Sequence, residues 1–415
     1  MDGGDTVDEG RRTPPHHPIF GVRLEDDHVR QVIRTVLPSH EVTSIRQLPS
    51  GGSYNNRIYF IDTRHPSAVG LSLVLKVNGR FFGAEKIQNE VGCLSLLERD
   101  CASIPSPRVR AWSEDGRVAS VITGNHSFEK HTIEDITTPG WILMNRVPGE
   151  SLSQLAGTLA ESGLRSVGAQ VAEMVAVWRR SISPQRYCGN LRFSESTGSD
   201  DAADIPETPS SPALAIRGVL ADDIKAFQPI DSVLGYYKIS LENKLRDLES
   251  NDLYAPNRSV IPTVRAFIGQ ALPRLGLIRD NDGSNGFVFT HFDLSPRNVL
   301  VSGSPPTVSG IVDFEFSGFF PALDEFVNDY VDNGGDWPAA AYEAYLERLG
   351  ELGVPTPARG VHENIWRQAV WLGKLLTNLA PWWLPGPHKG NELLAQLQKA
   401  EGVVMDMVST LELAT

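Results

Sequence analysis

A chain of 415 residues has room for two lobes, each with a core of its own. Its 38 basic against 51 acidic residues leave a formal charge of -13, which disfavours nucleic acid and anionic membrane as partners and would draw a cationic substrate. Three cysteines (Cys93, Cys101, Cys188) with neither C-x-x-C nor Cys/His spacing argue against a disulfide scaffold and a structural zinc. No apolar run reaches transmembrane length, so the expected setting is the cytoplasm.

Residues 1–19 are charged and rich in Pro and His, with no apolar centre. They read as a disordered tail with a solvated His16 and His17, not as a secretory leader. A helix is expected over Asp26–Leu37, ended by Pro38. Gly51-Gly52-Ser53 then make a glycine-rich turn that opens into a strand at Arg57–Ile61. Such a turn can bring backbone N–H groups close to phosphate oxygens, although most Gly-Gly turns are only turns.

Leu71, Leu73, Leu75 and Val77 alternate as one face of a strand, which sends Lys76 to the other face. Ala84–Glu98 is a helix with an apolar stripe of Ile87, Val91, Leu94 and Leu97. At 100° per residue Glu90 falls on that stripe, so its carboxylate needs a partner, and Lys76 is the natural one. A strand lysine paired with a helix glutamate is how kinases position nucleotide phosphates. Two unrelated surface charges are the alternative.

Trp141-Ile142-Leu143-Met144 is a buried strand that runs into Asn145–Gly149. Beyond it the pattern becomes helical: Val167–Trp178, Ile216–Phe227, Val233–Glu249 and Pro262–Leu272, with a polar Ser/Pro-rich excursion at Ser196–Pro212.

Residues 291–315 carry the most chemistry. His291-Phe292-Asp293 and Asn298 lead into an apolar run, and a turn at Ser302–Thr307 leads to a second run ending at Asp313-Phe314-Glu315. This reads as a β-hairpin whose antiparallel pairing sets Asn298 beside Asp313, with Asp293 on the loop before it. One amide oxygen and two carboxylates suit a hard cation such as Mg²⁺. The spacing from Asp293 to Asn298 matches the kinase catalytic loop. An ordinary hairpin with solvated polar ends is the competing account. Asn364–Leu379 and Glu392–Leu411 close the chain as helices, with Trp382 and Trp383 in a Pro-rich loop as candidates for substrate contact.

These motifs resemble the aminoglycoside phosphotransferase and choline-kinase-like family, in particular its fungal-type branch. His291–Leu300 is similar to that family's catalytic loop, and Gly310–Pro321 to its metal-binding segment. Further similarity at Gly51–Tyr59, Leu73–Val77, Trp141–Leu152 and Tyr187–Leu191 extends the resemblance over about residues 45–330. Phe292 departs from the glycine more usual there, which would reshape the substrate side.

The resemblance implies an α+β, bilobal protein-kinase-like fold, with a β-rich N-lobe over residues 20–146 and a mainly helical C-lobe over 147–415. It implies ATP and Mg²⁺ as cofactors and a small hydroxylated molecule as acceptor, and it is silent on oligomeric state. Asp293 would deprotonate the acceptor and His291 would order the loop. Asn298 and Asp313 would bind the metal. Gly51, Gly52, Ser53, Lys76 and Glu90 would hold the phosphates, and Met144 and Arg146, at the hinge, would meet adenine. A protein kinase is disfavoured by Glu315 after Asp313-Phe314 and by the absence of an Ala-Pro-Glu segment. A kinase fold repurposed for binding or non-kinase chemistry stays open. Asp324, Glu325 and Asp329 are further expected to favour a cationic acceptor, or else to cap a helix.

Overall fold

The computed structural model describes residues 13–14, 16–49, 52–123, 128–133, 139–194, 214–220, 230–279, 286–331 and 336–415, with the backbone alone for 328–331. Gly51 and the Ser196–Pro212 excursion lie outside these residues. The chain divides into two compact units. One comprises Met1–Pro148, Leu191–Ala215 and Gly310–Glu315, and the other Gly149–Asn190, Ile216–Ser309 and Phe316–Thr415.

The first unit is built on helix α1 (Asp26–Val36), strands β1 (Glu41–Gln47), β2 (Asn56–Arg64) and β3 (Ser72–Asn78), helix α2 (Ala84–Asp100), and strands β4 (Val109–Ser113), β5 (Val118–Ile122), β6 (Phe128–Thr132) and β7 (Trp141–Asn145). The strands form one sheet in the order β1-β2-β3-β7-β4-β5-β6. The β-branched and aliphatic alternation of β3 decides its faces. Leu73, Leu75 and Val77 are fully buried with Tyr59, Ile61, Trp141 and Leu143, against Val29, Val32 and Ile33 of α1. Lys76 is registered with Ile58 of β2 and Ile142 of β7, in the middle of the sheet. It points away from the α1 core.

Within the stretch 1–19, expected as a disordered tail, the described residues include contacts to the first unit. Ile19 is 2% exposed, its carbonyl accepts from the Arg57 guanidinium, and Pro18 O accepts from Arg80 N.

The second unit is mainly helical. It contains strand β8 (Glu150–Ser151), helices α3 (Glu161–Ser181) and α4 (Val233–Ser250), strands β9 (Val288–Thr290), β10 (Val299–Ser302), β11 (Thr307–Ile311) and β12 (Gly318–Phe320), and helices α5 (Asp324–Val331), α6 (Ala339–Glu351), α7 (Glu363–Leu379) and α8 (Gly390–Leu413). The last two residues of β11 belong to the first unit. Helices α3 and α6 approach so closely that a Cβ at Gly168 would lie 2.0 Å from Ala341 O. The expected hairpin is present as β10 and β11, neighbours in a three-stranded sheet completed by β8.

One expectation fails here. The stretch expected as a helix over Ile216–Phe227 begins as the strand Leu214–Ile216, and its residues 221–227 lie outside the described residues. Helix α6 falls in the C-terminal third, which reads as helical after the hairpin. The architecture is α+β, one unit β-rich and the other mainly helical, as in protein kinases. None of the described helices is long and apolar enough to cross a membrane.

Candidate active site

In the first unit the predicted ion pair is made. Lys76 Nζ donates to Glu90 Oε2 at 2.6 Å, with both side chains buried. The same ammonium lies 2.5 Å from Asp313 Oδ1 and 2.8 Å from Glu315 Oε2. Glu315 is a junction that sequence reasoning missed. Asn55 and Asn56 donate to its two carboxylate oxygens at 2.8 and 2.6 Å, and Lys86 Nζ is 3.0 Å away. Lys86, itself 1% exposed, also donates to Asn56 Oδ1, and Asn89 donates to Glu315 O. The glycine-rich turn is thereby tied to the segment after β11.

Three carboxylates and two ammonium groups meet in this cluster. Burial alone would lower the Lys76 pKa, but Asp313, Glu315 and Glu90 hold it well above the usual lysine range. Burial pushes Glu90 up to about 7, with Asp313 and Glu315 adding to the rise and Lys76 opposing it. Burial and Glu315 likewise raise Asp313. Burial also works to raise Glu315, yet Lys76 and Lys86 outweigh it and hold this carboxylate below its ordinary range. Carboxylate oxygens of Glu90, Asp313 and Glu315 lie within 4.8 Å of one another, a donor set chemically suited to a hard cation. Asp313 takes φ +69°, the left-handed region, at about 1–2 kcal/mol for a non-glycine residue.

Of the other predicted nucleotide contacts, Gly52 makes a close turn: a Cβ there would meet Leu48 at 2.8 Å. Met144 is 5% exposed and registered between Val74 and Val109. Arg146 N donates to Ser72 O at 2.9 Å, and its guanidinium lies over the Phe60 ring. That N–H is therefore engaged by the sheet.

The second unit holds the Asp293 loop. His291 is fully buried: its N donates to Glu325 Oε2 at 3.3 Å, its Nδ1 accepts from Asp293 N at 3.3 Å, and its O accepts from Ser317 Oγ at 2.9 Å. It orders the loop from within. Asn298 Nδ2 donates to Asp293 O at 2.8 Å and to Asp293 Oδ2 at 3.2 Å, so its Oδ1 is the atom a metal would take. Arg297 Nη2 stands 3.8 Å from Asp293 Oδ1, and its guanidinium also pairs with Asp336.

Residues 44–361 match the profile of the phosphotransferase enzyme family. The chain belongs to that family. Among solved structures it is similar to aminoglycoside phosphotransferase APH(2'')-Ib with ADP bound, at 12% identity over 93% of this chain and 99% of that one, with a TM-score of 0.55. The ternary complex of APH(2'')-IIa with streptomycin and ATP gives the same identity, coverages and TM-score. At such identity the likeness is one of fold. No curated protein matches the chain.

Two acids of this phosphotransferase correct the sequence reading. Asp324 and Glu325 are expected either to favour a cationic acceptor or to cap a helix, but they are 7% and 5% exposed. Glu325 pairs with Arg179 of α3 at 3.1 Å while holding His291 N, and Asp324 accepts from Tyr237 Oη at 3.2 Å. Acids in a helix's first turn look alike in sequence whether they cap it or are drawn inward, and the partners here lie 146 and 87 residues away. The side chain of Asp329, the third acid in that reading, is outside the described residues.

Burial pushes Asp324 up to about 7, against the hydrogen bonds of Tyr236 and Tyr237 and the charge of Arg179. A folded pKa above the unfolded one favours folding when the group is protonated. The contribution is therefore complete below about pH 4 and is lost as pH rises through about 7. Asp324→Asn should melt above wild type at pH 8 and close to it at pH 4, by a margin of a few kcal/mol at most. Parallel melting curves at both pH values would show that Asp324 keeps an ordinary pKa.

Proposed function

We propose that this protein transfers the γ-phosphate of ATP to a hydroxyl of a small molecule. The observation that carries the reading is Lys76, buried and held by Glu90 within reach of Asp313. Its ammonium would anchor the nucleotide phosphates, and the tie from Asn55 and Asn56 to Glu315 would steady the turn at Gly52 and Ser53. Asp293, 41% exposed on a loop whose neighbours are fixed by His291 and Asn298, would accept the acceptor's proton and aim its oxygen at phosphorus. Asn298 and Asp313 would hold Mg²⁺, which would supply charge neutralisation at the transferring group.

Nucleotide handling is assigned to residues 20–146 with the segment after β11, and acceptor binding to 147–415. The two similar structures, one with ADP and one with streptomycin and ATP, support a nucleotide and a small acceptor as substrates. Membership of the family's fungal-type branch rests on the run His291–Leu300 with Gly310–Pro321. A cytoplasmic setting is supported by three buried thiols, Cys93, Cys101 and Cys188.

The test is direct. Purified protein with ATP and Mg²⁺ should show a raised thermal midpoint, and ADP release that increases when a panel of hydroxylated metabolites is added. Magnesium alone should bind weakly, because Mg²⁺ keeps waters and phosphate oxygens in its shell. No thermal response to ATP with Mg²⁺ would remove the assignment.

A further inference from the structure

Phe292 sits between His291 and Asp293 with φ +71°, a conformation that glycine holds without strain and phenylalanine does not. Its ring stacks on Phe320 with centroids 4.5 Å apart at 44°, and Phe320 in turn lies 6.0 Å from the ring of Tyr236. Phe320 is fully buried and Tyr236 is 6% exposed, whereas Phe292 is only half-buried. Phe292, the partly exposed ring of this aromatic group, is one residue before the half-buried Asp293. On another side Asp293 is flanked by the charged Arg297–Asp336 pair.

We infer that Phe292 is a specificity-determining residue, an apolar wall that selects acceptors whose reacting hydroxyl is carried on a neutral, flat, apolar scaffold. The inference rests on Asp293 being the base of the proposed transfer. A hydroxyl that reaches the Asp293 carboxylate brings its scaffold against what this loop exposes, and on the Phe292 side that is a ring. Of the neighbouring acids, Asp336 is answered by Arg297. Asp324 and Glu325 are buried and committed to Tyr237 and Arg179.

The test compares wild type, Phe292→Gly and Phe292→Leu as full chains, with 2-phenylethanol, choline and gentamicin as probes. Wild type with ATP and Mg²⁺ should release ADP faster with 2-phenylethanol than with either cation. Phe292→Gly should raise the KM for 2-phenylethanol about tenfold relative to the KM for ATP, and Phe292→Leu, which keeps apolar bulk, should raise it less. Binding of 2-phenylethanol to the protein, followed by saturation-transfer NMR, should weaken in the same order, and this arm reads the wall even if no transfer occurs. Preference for choline or gentamicin, or acceptor binding and KM values indifferent to residue 292, would overturn the inference. Failure of ATP turnover with every probe, while binding still depends on residue 292, would count against the transfer reaction and leave the wall standing.

Discussion

Asp293→Ala should lower phosphoryl transfer by about 10²–10⁴-fold, the usual contribution of a positioned general base, while leaving the protein folded. The expectation follows from the loop. Asp293 is half-buried, and its backbone is fixed independently of its carboxylate: its N donates to His291 Nδ1 and its O accepts from Asn298 Nδ2 and Ser295 N. Removing the carboxylate takes away one 3.2 Å contact with Asn298 and the longer one with Arg297, and leaves the rest of the loop in place. ATP with Mg²⁺ should still raise the thermal midpoint of the variant, since Lys76, Glu90 and Asp313 are untouched. Asp293→Asn should be nearly as inactive, because the amide keeps the shape but cannot accept the proton. Equal ADP release by wild type and Asp293→Ala, with any acceptor that stimulates the wild type, would place the base elsewhere.

Lys76→Met should cost both stability and activity. The substitution keeps the apolar stem in the middle of the sheet but deletes the one cation shared by Glu90, Asp313 and Glu315. Lys86 still answers Glu315, so the damage falls on Glu90, which is 2% exposed and has burial already working against its charge. Breaking a buried pair by removing one partner costs on the order of 3–5 kcal/mol, reduced here to the extent that Glu90 takes up a proton. Loss of a preorganised phosphate contact should lower kcat by about 10²–10³-fold. Lys76→Arg should recover stability more than activity, since a planar guanidinium restores the charge but not the point geometry of an ammonium. Calorimetric unfolding and ADP release check the two halves separately. Unchanged unfolding in Lys76→Met would mean that the cluster tolerates three carboxylates with Lys86 alone.

Several features were legible in the residues themselves. The alternation of Leu71, Leu73, Leu75 and Val77 determined the inward face of β3 and sent Lys76 to the other side. The helical period then put Glu90 on an apolar stripe, where an unpaired carboxylate is too costly to stand. Together these two periodicities made Lys76 the natural partner of Glu90, with two unrelated surface charges as the alternative, and the folded chain forms the pair. The run from His291 to Glu315 likewise determined a loop, a turn and two strands, because apolar runs bounded by Gly, Ser and Pro admit few other readings.

What the sequence by itself could not determine was which buried charge meets which. Glu315 read as a departure from a kinase tripeptide, yet it collects Asn55, Asn56, Lys76 and Lys86, the two asparagines from about 260 residues away. Asp324 and Glu325 read as helix-capping or substrate-facing acids, and only tertiary packing turned them toward Tyr237, Arg179 and the backbone of His291. Periodicity reports the face a side chain occupies and nothing about what packs against that face. The cost of burying a charge is met by partners distant in sequence, and those are chosen by the three-dimensional arrangement of the chain.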